Sequence, residues 1–139
     1  MKVKQISVVL DTELDNPEKM MTVLTEHNVD VIAMTITQSG SFSVVRILMN
    51  NVLWASSALW EAGFTVNMSD VIAVGVPEGS ECLGKALGIL NEAGIRVKYM
   101  YTANCRRTRA AVMRFTDNDA AVSALSKAGI WLLSPGDIA

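Results

Sequence analysis

The residues that come nearest to a nucleotide-binding motif are Gly79, Gly84 and Lys85, which have the spacing of a phosphate-binding loop. Such a loop continues with Ser or Thr, whose hydroxyl ligates Mg²⁺, whereas this chain has Ala86. Glu81 would also place a negative charge among the backbone amides that hold the phosphates. These residues therefore argue against a nucleotide site.

A second candidate is the acidic stretch Asp11, Glu13 and Asp15, whose alternating carboxylates are typical of the start of a calcium loop. The sixth position of such a loop requires Gly and is Asn16 here. The twelfth position requires Glu and is Thr22. A solvated acidic loop is the better interpretation.

The remaining reactive residue types form no metal site and no pairing of a nucleophile with a base. His27 is the single histidine, and we expect it to cap a helix or to face solvent. Cys82 and Cys105 belong to no C-x-x-C pair, and we expect free thiols. We therefore predict that the protein is not an enzyme and uses no cofactor and no metal.

Three arginines, Arg106, Arg107 and Arg109, lie at a predicted hairpin turn. They have two interpretations. They are either a solvated, solubilising turn or a rim for an anionic group or a partner protein, since guanidinium groups recognise carboxylates well.

The amino-acid composition limits the classes of protein to which this chain can belong. Half of the 139 residues are apolar, the net charge is -2, and the pI is about 5.3, so a basic stripe for nucleic acid is not expected. No apolar run is long enough to span a membrane, and residues 1–5 open into a strand pattern and not into a signal peptide. We expect a cytoplasmic globular protein with no membrane or nucleic-acid partner.

The secondary-structure elements that position these residues occur twice in the sequence, as an internal repeat. The apolar alternation of residues 6–10 recurs at 72–76, and the helical stripe of residues 17–24 recurs at 83–90, with a constant offset of 66 residues. A period of this length fits a duplicated small domain. We predict modules at residues 1–69 and 70–139, with function located between them.

Each repeat predicts strand, helix, strand, strand, helix and strand, which is the order of a ferredoxin-like unit. In the first repeat these segments are residues 6–10, 17–24, 29–36, 42–49, 51–63 and 64–68. Residues 67–71 are predicted to be a short link, and the last strand of the second repeat is predicted at residues 130–133. The expected fold is α+β, with two βαββαβ modules that each carry two helices on one face of a four-stranded antiparallel sheet.

Both faces of the predicted sheets are apolar. In the third strand, for example, Val44 alternates with Val45 and Ile47. Because the helices cover only one face, a partner subunit or another sheet must cover the other, and we predict a homodimer. Trp54 and Trp60 on the second helix are expected in core or dimer packing.

The doubled unit resembles the small stand-alone proteins that consist of two ACT domains. The resemblance rests on the helix ends Glu61–Phe64 and Lys127–Ile130, on the loop and helix Val76–Leu90, and on Asn91–Ile95 and Tyr99–Tyr101. It covers essentially the whole chain.

The resemblance implies a regulatory protein that binds a free amino acid where the first loop of one module meets the second strand of a neighbouring module. Backbone amides at a helix N-terminus can hold the carboxylate there, and a strand edge can receive the ammonium group. It implies sensing and not catalysis. The alternative is a regulatory subunit without a ligand that partners an amino-acid biosynthesis enzyme, as the small subunit of acetolactate synthase does.

We transfer the ligand site of the family to this chain by position. The first loops are then Leu10–Asn16 and Val76–Cys82, and the facing strands are Met34–Thr37 and Met100–Ala103. The expected ligand contacts are Leu10, Asp11, Leu14, Asp15, Asn16, Met34, Thr35, Ile36, Val76, Pro77, Ser80, Glu81, Cys82, Met100, Tyr101 and Thr102.

The chain departs from the family where Pro-Gly is expected just before the first helix of each module. Leu14 and Asp15 stand there in the first repeat, and Ser80 and Glu81 in the second. A carboxylate at this point would repel the carboxylate of an amino acid. Either one or both pockets are degenerate, or the acids attract the cationic group of a basic amino acid.

Overall fold

The computed structural model describes residues 2–139, which contain six strands and five helices. In chain order these are β1 (Val3–Asp11), α1 (Pro17–Glu26), β2 (Val31–Ser39), β3 (Phe42–Met49), α2 (Val52–Glu61), β4 (Thr65–Gly75), α3 (Ser80–Glu92), β5 (Val97–Asn104), β6 (Arg109–Phe115), α4 (Asn118–Lys127) and α5 (Pro135–Ile138). The strands pair antiparallel, and the predicted α+β class with two ferredoxin-like modules is confirmed.

The chain divides into two compact units. The first module is Lys4–Ser69, and the second module is Asp70–Ala139 together with Lys2 and Val3. Strand order is β2-β3-β1-β4 in the first module and β4-β6-β5 in the second. Each module has its own apolar core between the sheet and two helices.

In the first module, β1 lies antiparallel to β3, with Ile6 opposite Ile47 and Val8 opposite Val45. These four side chains therefore share the face on which the helices pack. Buried helix residues complete this core, namely Met20 and Leu24 from α1 and Ala55 and Leu59 from α2. Burial of each large aliphatic side chain contributes about 1.5–3 kcal/mol to stability.

The second module repeats this packing. Ile72 and Val74 of β4 lie opposite Met113 and Ala111 of β6, on the face that the helices cover. The buried helix residues are Ala86 and Leu90 from α3 and Ala121 and Leu125 from α4. The stripe read from the sequence at residues 83–90 therefore does face a core, as expected for a helical period of 3.6.

The predicted link at residues 67–71 is wrong, because β4 runs without a break from Thr65 to Gly75. No residue in this segment has a positive φ, and it contains no Gly or Pro until Gly75, so nothing in it interrupts the strand. The Ser69 hydroxyl instead accepts a hydrogen bond of 3.3 Å from Nε2 of the buried Gln5. A polar side chain of this segment thus forms its hydrogen bond while the backbone stays extended.

The predicted last strand at residues 130–133 is also corrected, since it forms only an isolated bridge between Leu132 and Val74. Two backbone bonds flank this bridge, from the Gly75 N–H to the Trp131 oxygen (2.9 Å) and from the Leu133 N–H to the Ala73 oxygen (2.8 Å). The chain then turns into α5, whose first helical residue is a proline. Proline cannot donate to a ladder but is well placed at a helix start, which ends the strand early.

The second face of the second module is buried within the chain itself. Tyr101, Ala103 and Val112 point away from the helices and are buried. Leu133 and Ile138 near the C-terminus are buried as well, outside the helix-side core. In this module, therefore, an uncovered apolar face gives no reason to expect a partner subunit.

The close packing of Trp131 on Gly75 gives a prediction about stability. A Cβ at position 75 would lie 2.7 Å from Cε3 of Trp131, so Gly75→Ala must displace the indole and should lower the free energy of unfolding by about 1–3 kcal/mol. Gly88→Ala adds a Cβ into open space on α3 and should raise the free energy of unfolding by about 0.5–1 kcal/mol. Urea unfolding measures both, and equal effects of the two substitutions would contradict this packing.

A second prediction concerns acid stability. The backbone N–H and the hydroxyl of Ser134 donate to Asp137 and, with a weaker contribution from Arg107, hold the pKa of that carboxyl below its usual value of 3.8. A lowered pKa in the folded state stabilises the protein above pH 3.8, and this stabilisation is lost as the pH falls through the folded value.

Asp137→Asn should therefore lower Tm at neutral pH, and the difference from the unsubstituted protein should shrink once the pH is below 3.8. Asp30→Asn is the control, because within residues 2–139 the Asp30 carboxylate makes no hydrogen bond or ion pair. Thermal unfolding across the acid range measures both variants. A Tm difference for Asp137→Asn that does not change with pH would rule out this role.

Candidate functional site

A cavity of about 310 Å³ lies in the second module, between the segment that follows β4 and the end of β5. Its lining combines apolar side chains, two polar side chains of β5 and one cation. The lining residues are Val76, Gly79, Ser80, Leu83, Thr102, Ala103, Asn104 and Arg109.

The backbone at Gly79 shapes one wall of this cavity. The Gly79 N–H bonds to the Val76 oxygen at 3.0 Å, and the residue then takes φ +68° immediately before α3. A positive φ is easy only for glycine. A Cβ at this position would also meet Nη2 of Arg109 at 3.2 Å, so the absence of a side chain lets the guanidinium come close to the helix start.

The expectation that glycine is lost before the first helix of the second module is wrong. α3 begins at Ser80, one turn earlier than Leu83, the residue that corresponds to Pro17 at the start of α1. The residue before the helix is therefore Gly79, and Glu81 is an exposed residue of the first helical turn that does not line the cavity.

The electrostatics of this cavity favour an anion. No side chain caps α3, because its N-cap residue is glycine, so the amides of the first turn are open to a ligand. The guanidinium of Arg109 makes no ion pair within residues 2–139 and is exposed at the cavity wall. A guanidinium fork beside free helix amides is suited to a carboxylate.

The three arginines of the β5–β6 turn have different surroundings. The Arg107 guanidinium lies 3.4 Å from the Asp137 carboxylate. The Arg106 N–H donates to the Ile138 oxygen at 2.9 Å. Only Arg109 lines the cavity, so the two interpretations of this arginine cluster apply to different members of it.

The structure brings three of the expected contacts of the second module together at this cavity, namely Val76, Ser80 and Thr102. Pro77 and Cys82 lie instead at a smaller cavity of about 200 Å³ beside Lys85 and Trp131. Two others lie on β5 without lining either cavity. Met100 is on the helix side of the sheet, and Tyr101 is buried on the opposite face.

The other lining residues were not among the expected contacts, although two of them, Gly79 and Ala103, lie within the expected segments. These residues are Gly79, Leu83, Ala103, Asn104 and Arg109. The signal that could have found Arg109 was its type and place at a hairpin turn. Gly79 gave no comparable signal, because the fixed offset of 66 residues aligns it with Glu13 and conceals the earlier helix start.

The corresponding loop of the first module is closed by its own carboxylates. Oδ1 of Asp11 accepts from the N–H groups of Glu13 (2.9 Å) and Leu14 (3.3 Å). Oδ2 of Asp15 accepts from the Asp11 N–H at 2.9 Å, and Asn16 caps α1 through a 2.8 Å bond from the Glu18 N–H. The amides that could hold a ligand carboxylate are thus already bonded.

The other expected contacts of the first module are spread over several surroundings. Leu10 is buried in the core, and Leu14 is 79% exposed at the loop tip. Met34 and Ile36 are exposed on the helix side of β2, whereas Thr35 faces the other side of the sheet, opposite Arg46.

The structure also bears on the weaker motifs. Gly84 and Lys85 lie inside α3, so they cannot form the loop of a phosphate-binding motif. Nδ1 of His27 lies 2.7 Å from the Val23 oxygen at the end of α1, in agreement with a capping role. Within residues 2–139, the His, Cys, Asp and Glu residues form no cluster suited to a metal ion, and no helix is both long and apolar enough to cross a membrane.

Comparison with solved structures shows the same fold in several proteins. A protein of Bacteroides thetaiotaomicron is 27% identical with a TM-score of 0.89, and the match covers 99% of this chain and 95% of that one. The aspartate kinase regulatory subunit of Thermus thermophilus is 18% identical with a TM-score of 0.60, over 90% of this chain and 91% of that one. For the same subunit of Thermus flavus the values are 17%, 0.54, 91% and 92%.

No protein of curated function matches the chain. A family model does match it, over residues 1–128, and is described as an ACT domain pair. This range includes all six strands, the cavity and the closed loop of the first module. The chain belongs to the family of ACT domain pairs.

Proposed function

We propose that this protein is a non-enzymatic regulator that senses a free amino acid, which it binds in the cavity of the second module. The observation that carries the proposal is the approach of the Arg109 guanidinium to the uncapped start of α3 at Gly79. Both groups offer hydrogen-bond donors and positive charge at one end of the cavity. A free carboxylate satisfies both.

The rest of the lining suits the other groups of an amino acid. Thr102 and Asn104 provide side-chain oxygens that can accept from an ammonium group, together with backbone carbonyls of β5. Val76 and Leu83 offer an apolar wall for a side chain. A volume of about 310 Å³ is at the small end of ligand pockets, as suits a single amino acid.

The charge of the lining also narrows the ligand class. Among the described residues that line the cavity there is no Asp or Glu to neutralise a cationic side chain, and Arg109 would repel one. Glu81, which raised the prospect of a basic ligand, is outside the lining. The preferred ligand is therefore a neutral or acidic amino acid and not Lys or Arg.

Binding would act on regulation through the hairpin that carries Arg109. The same β5–β6 turn is held to the C-terminal segment by the backbone bonds of Arg106 and Arg107 to Ile138 and Asp137. A ligand can shift an equilibrium only by its difference in affinity between two states. A carboxylate that fixes Arg109 favours the state in which this turn and α3 are close together.

The alternative function is that of a ligand-free regulatory subunit, in which the chain controls an amino-acid biosynthesis enzyme through direct contact. It is favoured by the first module, where Asp11 and Asp15 occupy the loop amides. Two structural neighbours are regulatory subunits of aspartate kinase, although their low identity supports only a shared fold. An enzyme partner and a ligand are compatible if the second module alone binds.

The proposal predicts selective thermal stabilisation of the purified protein by one amino acid or by a few related ones. A ligand at 100 times its Kd adds about 2.7 kcal/mol to stability. Isothermal titration calorimetry should then show one site per chain, because the first loop is closed. Stabilisation by Lys or Arg alone would contradict the ligand class, and a flat screen together with co-purification of an enzyme subunit would favour the alternative function.

A matched pair of arginine variants tests the site itself. Arg109→Gln removes the charge at the cavity and should weaken binding by at least tenfold, since charged hydrogen bonds contribute about 1.5–3 kcal/mol. Arg106→Gln removes a charge from the same turn but outside the lining, and should bind within about twofold of the unsubstituted protein. Equal loss in both variants, or unchanged binding by Arg109→Gln, would place the ligand elsewhere.

A further inference from the structure

The outer surface of α2 is apolar although it faces solvent. Leu53 is 73% exposed and Trp60 is 68% exposed, and the two lie two helical turns apart on one stripe. Ser57, a small exposed residue, lies between them. The buried side of the helix is formed by Ala55, Ala58 and Leu59, so the stripe is not needed to cover the core.

The second module shows that the fold does not require this stripe. α4 packs on its sheet as α2 does, and the fixed offset of 66 residues places Asp119 at the position of Leu53 and Ser126 at that of Trp60. Both α4 residues are exposed and polar. The apolar residues of α2 therefore have a role apart from folding.

The ends of α2 differ from those of α4 as well. Asn51 precedes α2 in a left-handed conformation with φ 46° and caps no amide, and Glu61 occupies the last turn, where the helix dipole disfavours a negative charge. In α4, Asp117 accepts from the Ala120 N–H at 3.0 Å, and the last turn carries Lys127. Of the two helices, only α4 has both a capped N-terminus and a favourable charge in its last turn.

We propose that the outer face of α2 binds α2 of a second copy of this chain, with the two helices antiparallel about a two-fold axis near Ser57. This arrangement places Leu53 against Trp60 of the partner subunit, and Trp60 against Leu53 of the partner subunit. The small Ser57 side chain at the centre lets the helices approach closely. A two-fold contact requires such a self-complementary spacing.

Charge complementarity selects a second copy over an unrelated partner. Glu61 is the one charged residue of α2. In an antiparallel pair the two Glu61 side chains lie at opposite ends of the contact and do not repel each other. In the antiparallel pair, Glu61 lies beside the uncapped N-terminus of the other α2, where a negative charge is favourable. Each copy thus places a negative charge at the uncapped N-terminus of the other copy's α2. Trp is also a residue type that contributes strongly to binding at interfaces.

The proposal does not depend on the amino-acid site, and the resulting dimer is tested by sedimentation velocity. The unsubstituted chain should be dimeric, and Leu53→Asp and Trp60→Ser should each shift it at least tenfold toward monomer. These substitutions introduce the residues that α4 carries at the same positions, so the fold accommodates them. Leu14→Ser removes an equally exposed apolar side chain from the loop before α1 and should leave the dimer unchanged.

The geometry is tested by cross-linking in a background with Cys82→Ser and Cys105→Ser. Ser57→Cys should form a disulfide-linked dimer under mild oxidation, and Ser123→Cys, at the matching position of α4, should not. A monomeric chain, a dimer that survives Leu53→Asp, or equal cross-linking at both positions would overturn the proposal. Recovery of α2 bound only to another protein would also overturn it.

Discussion

The start of α3 at Gly79 is the constraint on which the candidate site depends. The left-handed φ of this glycine allows the helix to begin one turn earlier than its counterpart in the first module, and the missing side chain leaves the first amides uncapped. It also lets the Arg109 guanidinium come close to the helix start. A free helix N-terminus and a nearby guanidinium each favour a carboxylate, and the glycine lets the two lie side by side.

The two modules show how one fold can diverge in use. Their cores are built from equivalent positions, and the sheets pair in the same way. The loops before the first helices differ in chemistry, because Asp11 and Asp15 bond to the amides of their own loop whereas Gly79 leaves those of α3 open. The second helices also differ, but here the first module carries the unusual feature. The outer face of α2 is apolar, whereas that of α4 is polar. The proposed ligand site and the proposed dimer contact thus lie on different modules.

The fold could be predicted from the sequence because hydrophobic periodicity records which face of each element is buried. Ile6, Val8 and Leu10 alternate, Met20 and Leu24 follow a helical period, and all five face the same core. The unbroken β4 and the short final bridge could not be predicted, because they depend on hydrogen bonds between distant residues, such as Gln5 with Ser69. For the candidate site, three of the eight residues that line the cavity were among the contacts expected from the sequence. A fixed offset cannot show that a helix begins one turn earlier, since the number of residues does not change.

The proposed carboxylate site of the second module lies at the start of α3 and beside Arg109. The most direct test is a titration of isotope-labelled protein with the stabilising amino acid, followed by NMR of the backbone amides and of the arginine side chains. We expect the largest shifts at the amides of Ser80, Glu81 and Cys82 and at the Arg109 guanidinium, with little change at Glu13 and Leu14. Shifts centred on the first loop, or shifts that spare both Arg109 and the start of α3, would contradict it.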